Sequence, residues 1–208
     1  MAAGWTRKSF SSGGVTEHPI GANFKRLLAR SSGAVVLALD VSGSMQGDRI
    51  VKAVQGCQRF VDEAVGAGYQ VGVILWHHAV EEDSPPHADP KGAKALLARA
   101  KAAGGNSAVP FLTLAHSQLM AVDVGDKVVA IFGDGDLGDR QSAEAKAHQL
   151  VADNIRILTC GLGDGSAQEL ASISTESVAP RTATSENLAD SIASMAQGLT
   201  RRGVEKWP

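Results

Sequence analysis

Four apolar runs along the chain predict buried β-strands. They are AVVLAL (34–39), YQVGVILW (69–76), KVVAIF (127–132) and IRILTC (155–160). They are rich in β-branched and aliphatic side chains, which is typical of strands that are covered on both faces of a parallel sheet. Because helical patterns separate the runs, the chain is predicted to form a doubly wound α/β fold with a central, mostly parallel sheet flanked by helices.

The segments between these runs carry helical periodicity. After Ser44, apolar residues recur at spacings of three or four and predict an amphipathic helix that ends around residues 66–68. Thr184 or Ser185 is expected to cap the last helix. The other predicted helices span about 90–102, 111–120, 139–153, 166–172 and 188–199. Weak strands are predicted at 79–83, ending before Pro85 and Pro86, and at 176–179.

The length and composition predict one enlarged domain. The chain has 208 residues, of which 44% are hydrophobic, and this can bury one substantial core. We expect the domain to span residues 34–200. A glycine- and serine-rich extension (1–33) with a short helix near 23–29 precedes it, and a tail (201–208) follows.

Charge and cysteine content disfavour several classes of function. The net charge is −2 with scattered Lys and Arg, so no basic surface for nucleic acid or anionic lipid is predicted. Cys57 and Cys160 lie within apolar patterns and predict reduced core thiols, although a lone disulfide stays open. No segment has the roughly 18 to 20 apolar residues of a membrane span, and no signal peptide is apparent, so we expect a cytoplasmic protein.

Oxygen-bearing side chains follow the predicted strands. Asp40, Ser42 and Ser44 come directly after the first strand, Ser107 follows a glycine pair, and Asp134 comes after KVVAIF. Because the carboxyl ends of parallel strands meet at one edge of a sheet, we expect these five residues to surround one point. Five oxygen donors with two negative charges suit octahedral Mg²⁺, with Mn²⁺ or Ca²⁺ as alternatives.

This donor set leaves a divalent ion under-neutralised. An open coordination position would attract one more carboxylate, which an acidic side chain of another protein could supply. The sequence shows no nucleophile with a partner base and no phosphate cradle beside these residues. The pattern therefore predicts metal-mediated protein binding rather than catalysis.

At these residues the chain resembles the von Willebrand factor type A (VWA) domain family. The metal-ion-dependent adhesion site of that family has the pattern D-x-S-x-S, then a Thr after a glycine-rich loop, then an Asp after a central strand. Asp40, Ser42, Ser44 and Asp134 match this pattern, whereas Ser107 stands where the family usually has Thr.

The resemblance covers about residues 34–200 and implies a Rossmann-like sheet with one antiparallel edge strand. It implies that Ser42, Ser44 and Ser107 contact the ion directly, and that Asp40 and Asp134 act directly or through water. Intracellular bacterial members of the family are often partners of ATPases or components of stress-response systems. By this association alone we expect a role of that kind here.

Alternative functions stay open at this point. Haloacid dehalogenase-like phosphatases also place an Asp nucleophile at the end of the first strand, as Asp40 is placed. Their acid/base Asp would fall at Ser42, however, and the last Asp of their acidic loop at Gly138. A scaffold with the VWA fold and no ion is the second alternative. His77 and His78 favour surface-loop positions over a zinc site.

Overall fold

A six-stranded sheet in the order β3-β2-β1-β4-β5-β6 lies at the centre of the computed structural model, which describes residues 32–176 and 180–200. Strand β3 pairs with β2 in the antiparallel direction, and the other pairings among the described strands are parallel. The predicted fold class is therefore confirmed. The strands are β1 (Gly33–Asp40), β2 (Tyr69–Trp76), β3 (Val80–His87), β4 (Asp126–Gly133), β5 (Ile155–Leu162) and β6 (Arg181–Ala183).

Helices cover both faces of this sheet. Alternate residues of β1 face opposite cores, so that Val35 and Leu37 belong to one apolar cluster and Val36 and Ala38 to the other. The first cluster contains residues of α1, α2, α6 and α7, and the second contains residues of α3, α4 and α5. These helices are α1 (Asp48–Gly66), α2 (Lys91–Leu97), α3 (Ala108–Met120), α4 (Arg140–Ala152), α5 (Asp164–Ala171), α6 (Leu188–Ser194) and α7 (Gln197–Thr200).

The edge strand β3 runs further than the sequence pattern predicts. It continues through Pro85 and Pro86 to His87, whereas the prolines were expected to end it. A register irregularity separates the pairs Val71–His87 and Val73–Ser84, and the two prolines lie inside it. Proline is tolerated there because an edge strand has one unpaired side and an irregularity removes the need for a regular ladder of hydrogen bonds.

Other boundaries also differ from the predictions. The helix expected at 90–102 ends at Leu97, and the last predicted helix is divided into α6 and α7. Asn187 rather than Thr184 or Ser185 occupies the N-cap of α6. The short helix predicted near 23–29, residues 201–208 and positions 177–179 of the weak final strand lie outside the described residues, and β6 follows at 181–183.

Two compositional predictions can be compared with this fold. Cys57 and Cys160 are both buried and free, as expected for reduced core thiols. Among the described helices, none combines the length and the apolar character that a bilayer span requires.

Candidate metal centre

Asp40 links two loops at the carboxyl edge of the sheet. It is the last residue of β1, and its side chain is fully buried. Its Oδ1 atom accepts a hydrogen bond from the Ser42 N–H at 2.7 Å, and its Oδ2 atom accepts one from the Asp134 N–H at 3.1 Å. Burial raises the pKa of Asp40 to about 6, the hydrogen bonds from Ser42 oppose this shift, and the charge of Asp134 adds to it.

Two serine hydroxyls and a second carboxylate lie in direct contact beside Asp40. The Oγ atoms of Ser42 and Ser44 are 2.9 Å apart, and the Ser44 hydroxyl donates to Oδ2 of Asp134. Ser42 is buried, whereas Ser44 is exposed. A short 3₁₀ helix, Gly43–Met45, carries Ser44 back toward the end of β4. The network therefore extends from a buried carboxylate to a hydroxyl that solvent can reach.

The loop before α3 packs against this network. The Gly43 N–H donates to the Gly104 carbonyl at 3.0 Å, and the side-chain amide of Asn106 donates to Oδ1 of Asp134 at 2.9 Å. Gly104 has a φ of +78°, and a Cβ there would lie 3.0 Å from Nδ1 of His78. A glycine is thus required for the close approach of this loop.

Ser107 lies at the edge of the network rather than within it. It is the N-cap residue of α3, with extended φ and ψ of −160° and 121°, and its N–H donates to the His77 carbonyl at 2.9 Å. Within the described part of the chain, its hydroxyl hydrogen-bonds to none of the other four predicted ligands. The structure thus joins Asp40, Ser42, Ser44 and Asp134 directly and places Ser107 next to Asn106, which contacts Asp134.

Sequence reasoning missed two residues of this site. Asn106 directly precedes the predicted ligand Ser107, but its contact with Asp134 has no signal in the local sequence. Ser166 belongs to none of the motifs found in the sequence, yet its hydroxyl donates a hydrogen bond to the Asp134 backbone carbonyl at 2.5 Å. Gly135 allows this contact, because it has a φ of +92° and a Cβ there would lie 2.5 Å from Cα of Ser166.

The histidines after β2 have structural roles. Nδ1 of His77 accepts a hydrogen bond from the Ala79 N–H at 3.0 Å, and its Nε2 lies 2.8 Å from a carboxylate oxygen of Glu81. The ring of His77 is stacked on that of His78. The expectation of a surface position is wrong for His77, which is buried, because these contacts fold its ring under the neighbouring loops.

The donor set of the site suits a hard cation. Hydroxyl and carboxylate oxygens are the ligands that Mg²⁺ prefers, and the Asp134 carboxylate lies close enough to Asp40 for its charge to raise the pKa of Asp40. Within residues 32–176 and 180–200, no group of three or more His, Cys, Asp or Glu side chains could hold a metal ion. A metal centre at this edge of the sheet therefore depends on the serine hydroxyls.

Comparisons with known proteins agree with the observed architecture. Residues 34–197 match the family model described as the von Willebrand factor type A domain. A search of curated proteins finds no match.

Several solved structures share the fold. The vWF domain of the type V pili tip protein Mfa5 from Porphyromonas gingivalis aligns with a TM-score of 0.74 at 15% identity, covering 86% of this chain and 98% of that one. The conserved hypothetical protein BatB from Bacteroides thetaiotaomicron gives 0.59 at 18% identity, with coverages of 80% and 100%. A von Willebrand factor type A structure from Catenulispora acidiphila gives 0.65 at 19% identity, with coverages of 80% and 42%. At these identities the similarity establishes the fold.

Proposed function

Since the chain belongs to the von Willebrand factor type A domain family, a family of protein-interaction modules, we propose that it binds a partner protein through a divalent cation. The proposed ligands are Asp40, Ser42, Ser44, Ser107 and Asp134, with Mg²⁺ favoured and Mn²⁺ or Ca²⁺ as alternatives. The proposed partner supplies an acidic side chain.

One observation carries this proposal. The hydroxyls of Ser42 and Ser44 and the carboxylate of Asp134 form a continuous chain of contacts above Asp40, although Ser44 and Asp134 are 90 positions apart. A cap or a turn would need one of these groups, whereas a cation site needs several oxygen donors at one point. The proximity of the buried Asp40 carboxylate to the half-buried Asp134 carboxylate also favours a bound cation, because positive charge there would offset their repulsion.

The residues at the site have distinct parts in the proposed binding. Asp40 holds the loop after β1 against the loop after β4 through the N–H groups of Ser42 and Asp134. Asn106 and Ser166 fix Asp134 through its carboxylate and its carbonyl. Ser44 is exposed, so a partner carboxylate can approach on its side. A bound divalent ion would supply the Lewis acid that accepts that carboxylate.

Calorimetric titration with Mg²⁺ and Mn²⁺ tests the proposal directly. Asp40→Asn removes one negative charge from the site, and we expect it to weaken Mg²⁺ binding by at least about tenfold. Asp136→Asn is the matched control, because Asp136 is an exposed carboxylate two residues from Asp134 and is not a proposed ligand. Equal Mg²⁺ affinity of the Asp40→Asn variant and the wild type would contradict the assignment of the metal site.

Partner capture is the second part of the test. Affinity purification in Mg²⁺ and in EDTA, with wild type and Asp40→Asn as baits, should give proteins that only wild type retains and only in Mg²⁺. We propose that such partners belong to a cytoplasmic, ATPase-linked or stress-response system. Partner retention that is insensitive to EDTA and to Asp40→Asn would favour a scaffold that binds without metal. That function is expected if Ser107 does not coordinate a metal together with the other proposed ligands.

The phosphatase alternative lacks support at the site. The residue two positions after Asp40 is Ser42, whose hydroxyl contacts Ser44 and cannot act as the carboxylic acid/base of that mechanism. We therefore expect no hydrolysis of phosphoesters that depends on Asp40.

A further inference from the structure

Arg49 places an exposed positive charge beside the candidate metal centre. It lies in the first turn of α1, and its Nη1 atom donates a hydrogen bond to the Ser44 carbonyl at 3.0 Å. Ser44 is the exposed member of the proposed ligand set. The guanidinium group of Arg49 is thereby held next to the position that an approaching carboxylate would reach.

Arg49 differs from the other arginines of the described ranges. Arg59, Arg99, Arg140, Arg156 and Arg181 each form an ion pair with an Asp or Glu. Arg49 has no such pair among the described residues, and its hydrogen bond to the Ser44 carbonyl uses one of its five N–H donors. The chain contains 22 acidic and 20 basic residues, so carboxylates are not scarce. An arginine held in place with free donors is suited to bind a carboxylate from outside the chain.

A groove continues from Arg49 along the surface. It has a volume of about 320 Å³ and is lined by Gln46, Asp48, Arg49, Lys52, Ser185 and Leu188. The Lys52 ammonium donates to the Ser185 carbonyl at 2.6 Å, which orients it at the groove wall. Two basic side chains therefore face one acidic side chain, Asp48, and Leu188 adds an apolar contact.

The surface on the other side of the metal centre has the opposite charge. A cavity of about 350 Å³ there is lined in part by Asp134, Asp136 and Glu169. Its one basic residue, Arg140, is already paired with Glu144 and Glu169. An acidic ligand that reaches the metal centre is thus repelled on the Asp136 side and attracted on the Arg49 side.

We propose that Arg49 and Lys52 form an anion-binding subsite for a second carboxylate of the partner. The partner is then an acidic segment with at least two carboxylates, one directed to the metal and the other to Arg49. This inference rests on the proposed metal-dependent function, and it adds the charge and the direction of the bound segment. Arginine pairs with a carboxylate through two parallel hydrogen bonds, which would fix the register of the segment.

Surface plasmon resonance with short glycine–serine peptides tests the subsite. In one set, every peptide has a Glu at its centre and a second Glu whose position differs from peptide to peptide. In the matched set, Gln replaces the second Glu. In Mg²⁺ and low salt, we expect a two-carboxylate peptide to bind wild type about fivefold or more tightly than its Gln counterpart. Arg49→Gln should abolish this difference in affinity between the two sets of peptides.

Arg59→Gln is the matched control, since Arg59 lies on the same helix and is paired with Asp190 away from the groove. It should preserve the preference for two carboxylates. If peptides bind in Mg²⁺ but not in EDTA, and Arg49→Gln retains the preference, the subsite is contradicted while the metal-dependent function stands. If no peptide binds in a Mg²⁺-dependent way, the proposed function and the subsite are both contradicted.

Discussion

Ser107 is the proposed ligand whose side chain lies at the edge of the site rather than within its hydrogen-bond network. Its backbone is extended, and its side chain makes no capping hydrogen bond that would restrict rotation about χ1. A β-branched residue would restrict this rotation at little cost in an extended conformation. We therefore predict that Ser107→Thr raises Mg²⁺ affinity by about two- to fivefold in calorimetric titration. Ser107→Ala, which removes the hydroxyl, should lower the affinity, and a Thr variant that binds no better than wild type would contradict a ligand role.

At this scale, much of the candidate site could be predicted from sequence. Asp40, Ser42 and Ser44 are close in the chain, and Asp134 follows a buried strand, so pattern and topology together placed them at one edge. Asn106 and Ser166 could not be found in this way, because their contacts with Asp134 depend on how two loops cross above the strands. Loop crossings are set by tertiary packing and not by local periodicity.

At the scale of elements, the contact between α1 and α6 depends on one glycine. A Cβ at Gly56 would lie 2.7 Å from the Ala189 carbonyl oxygen and 2.9 Å from its Cα, so the two helix backbones would have to separate. We predict that Gly56→Ala lowers the free energy of unfolding by about 1 to 3 kcal/mol. Gly66→Ala on the same helix meets no atom within 4 Å, and it should raise that free energy by about 0.5 kcal/mol through helix propensity.

Urea denaturation of the two variants measures both effects. The pair controls for the intrinsic preference of a helix for Ala over Gly, because the substitution and the helix are the same. If both variants are stabilised, the close approach of α1 and α6 is wrong. If both are destabilised, Gly66 does not occupy the open position described.

The central strands were predicted more closely than the edge strands and the helices, for a physical reason. The central strands are covered on both faces, so each has a continuous apolar run that ends where the strand ends, as at Asp40. Helix ends depend on caps and on neighbouring elements. Asn187 is the N-cap of α6 and exchanges hydrogen bonds with Thr184, and periodicity alone does not distinguish which of these residues is the cap.

For the molecule as a whole, the two ends of the sheet carry different polar clusters. The candidate metal centre lies at the carboxyl ends of β1 and β4. At the opposite end, the Tyr69 hydroxyl lies 2.5 Å from Oδ2 of Asp126 and 2.8 Å from the Leu199 carbonyl. Arg156 pairs with the same carboxylate and donates to the Gly198 carbonyl at 3.0 Å. This second cluster links α7 to β2, β4 and β5, so we expect it to stabilise the fold.

The Tyr69 cluster predicts how the stability of the protein changes with pH. Burial raises the pKa of Tyr69 well above its ordinary value of about 10, and the nearby Asp126 carboxylate adds to this shift. The folded state therefore keeps a proton that the unfolded state loses above about pH 10. Since stability falls with rising pH wherever the unfolded state binds fewer protons, the contribution of Tyr69 is complete below pH 10 and decreases above it.

We predict that Tyr69→Phe lowers the free energy of unfolding at pH 7 by about 1 to 2 kcal/mol, because a buried hydrogen bond is lost. Between pH 10 and 11 the difference between wild type and variant should shrink, since only wild type loses the contribution of the hydroxyl. Urea denaturation at each pH measures this difference. Tyr69 is the only tyrosine in the chain, so absorbance at 295 nm follows its ionisation alone. Ionisation of the folded protein near pH 10, or a stability difference that does not change with pH, would show that the hydroxyl does not hold α7 to the sheet.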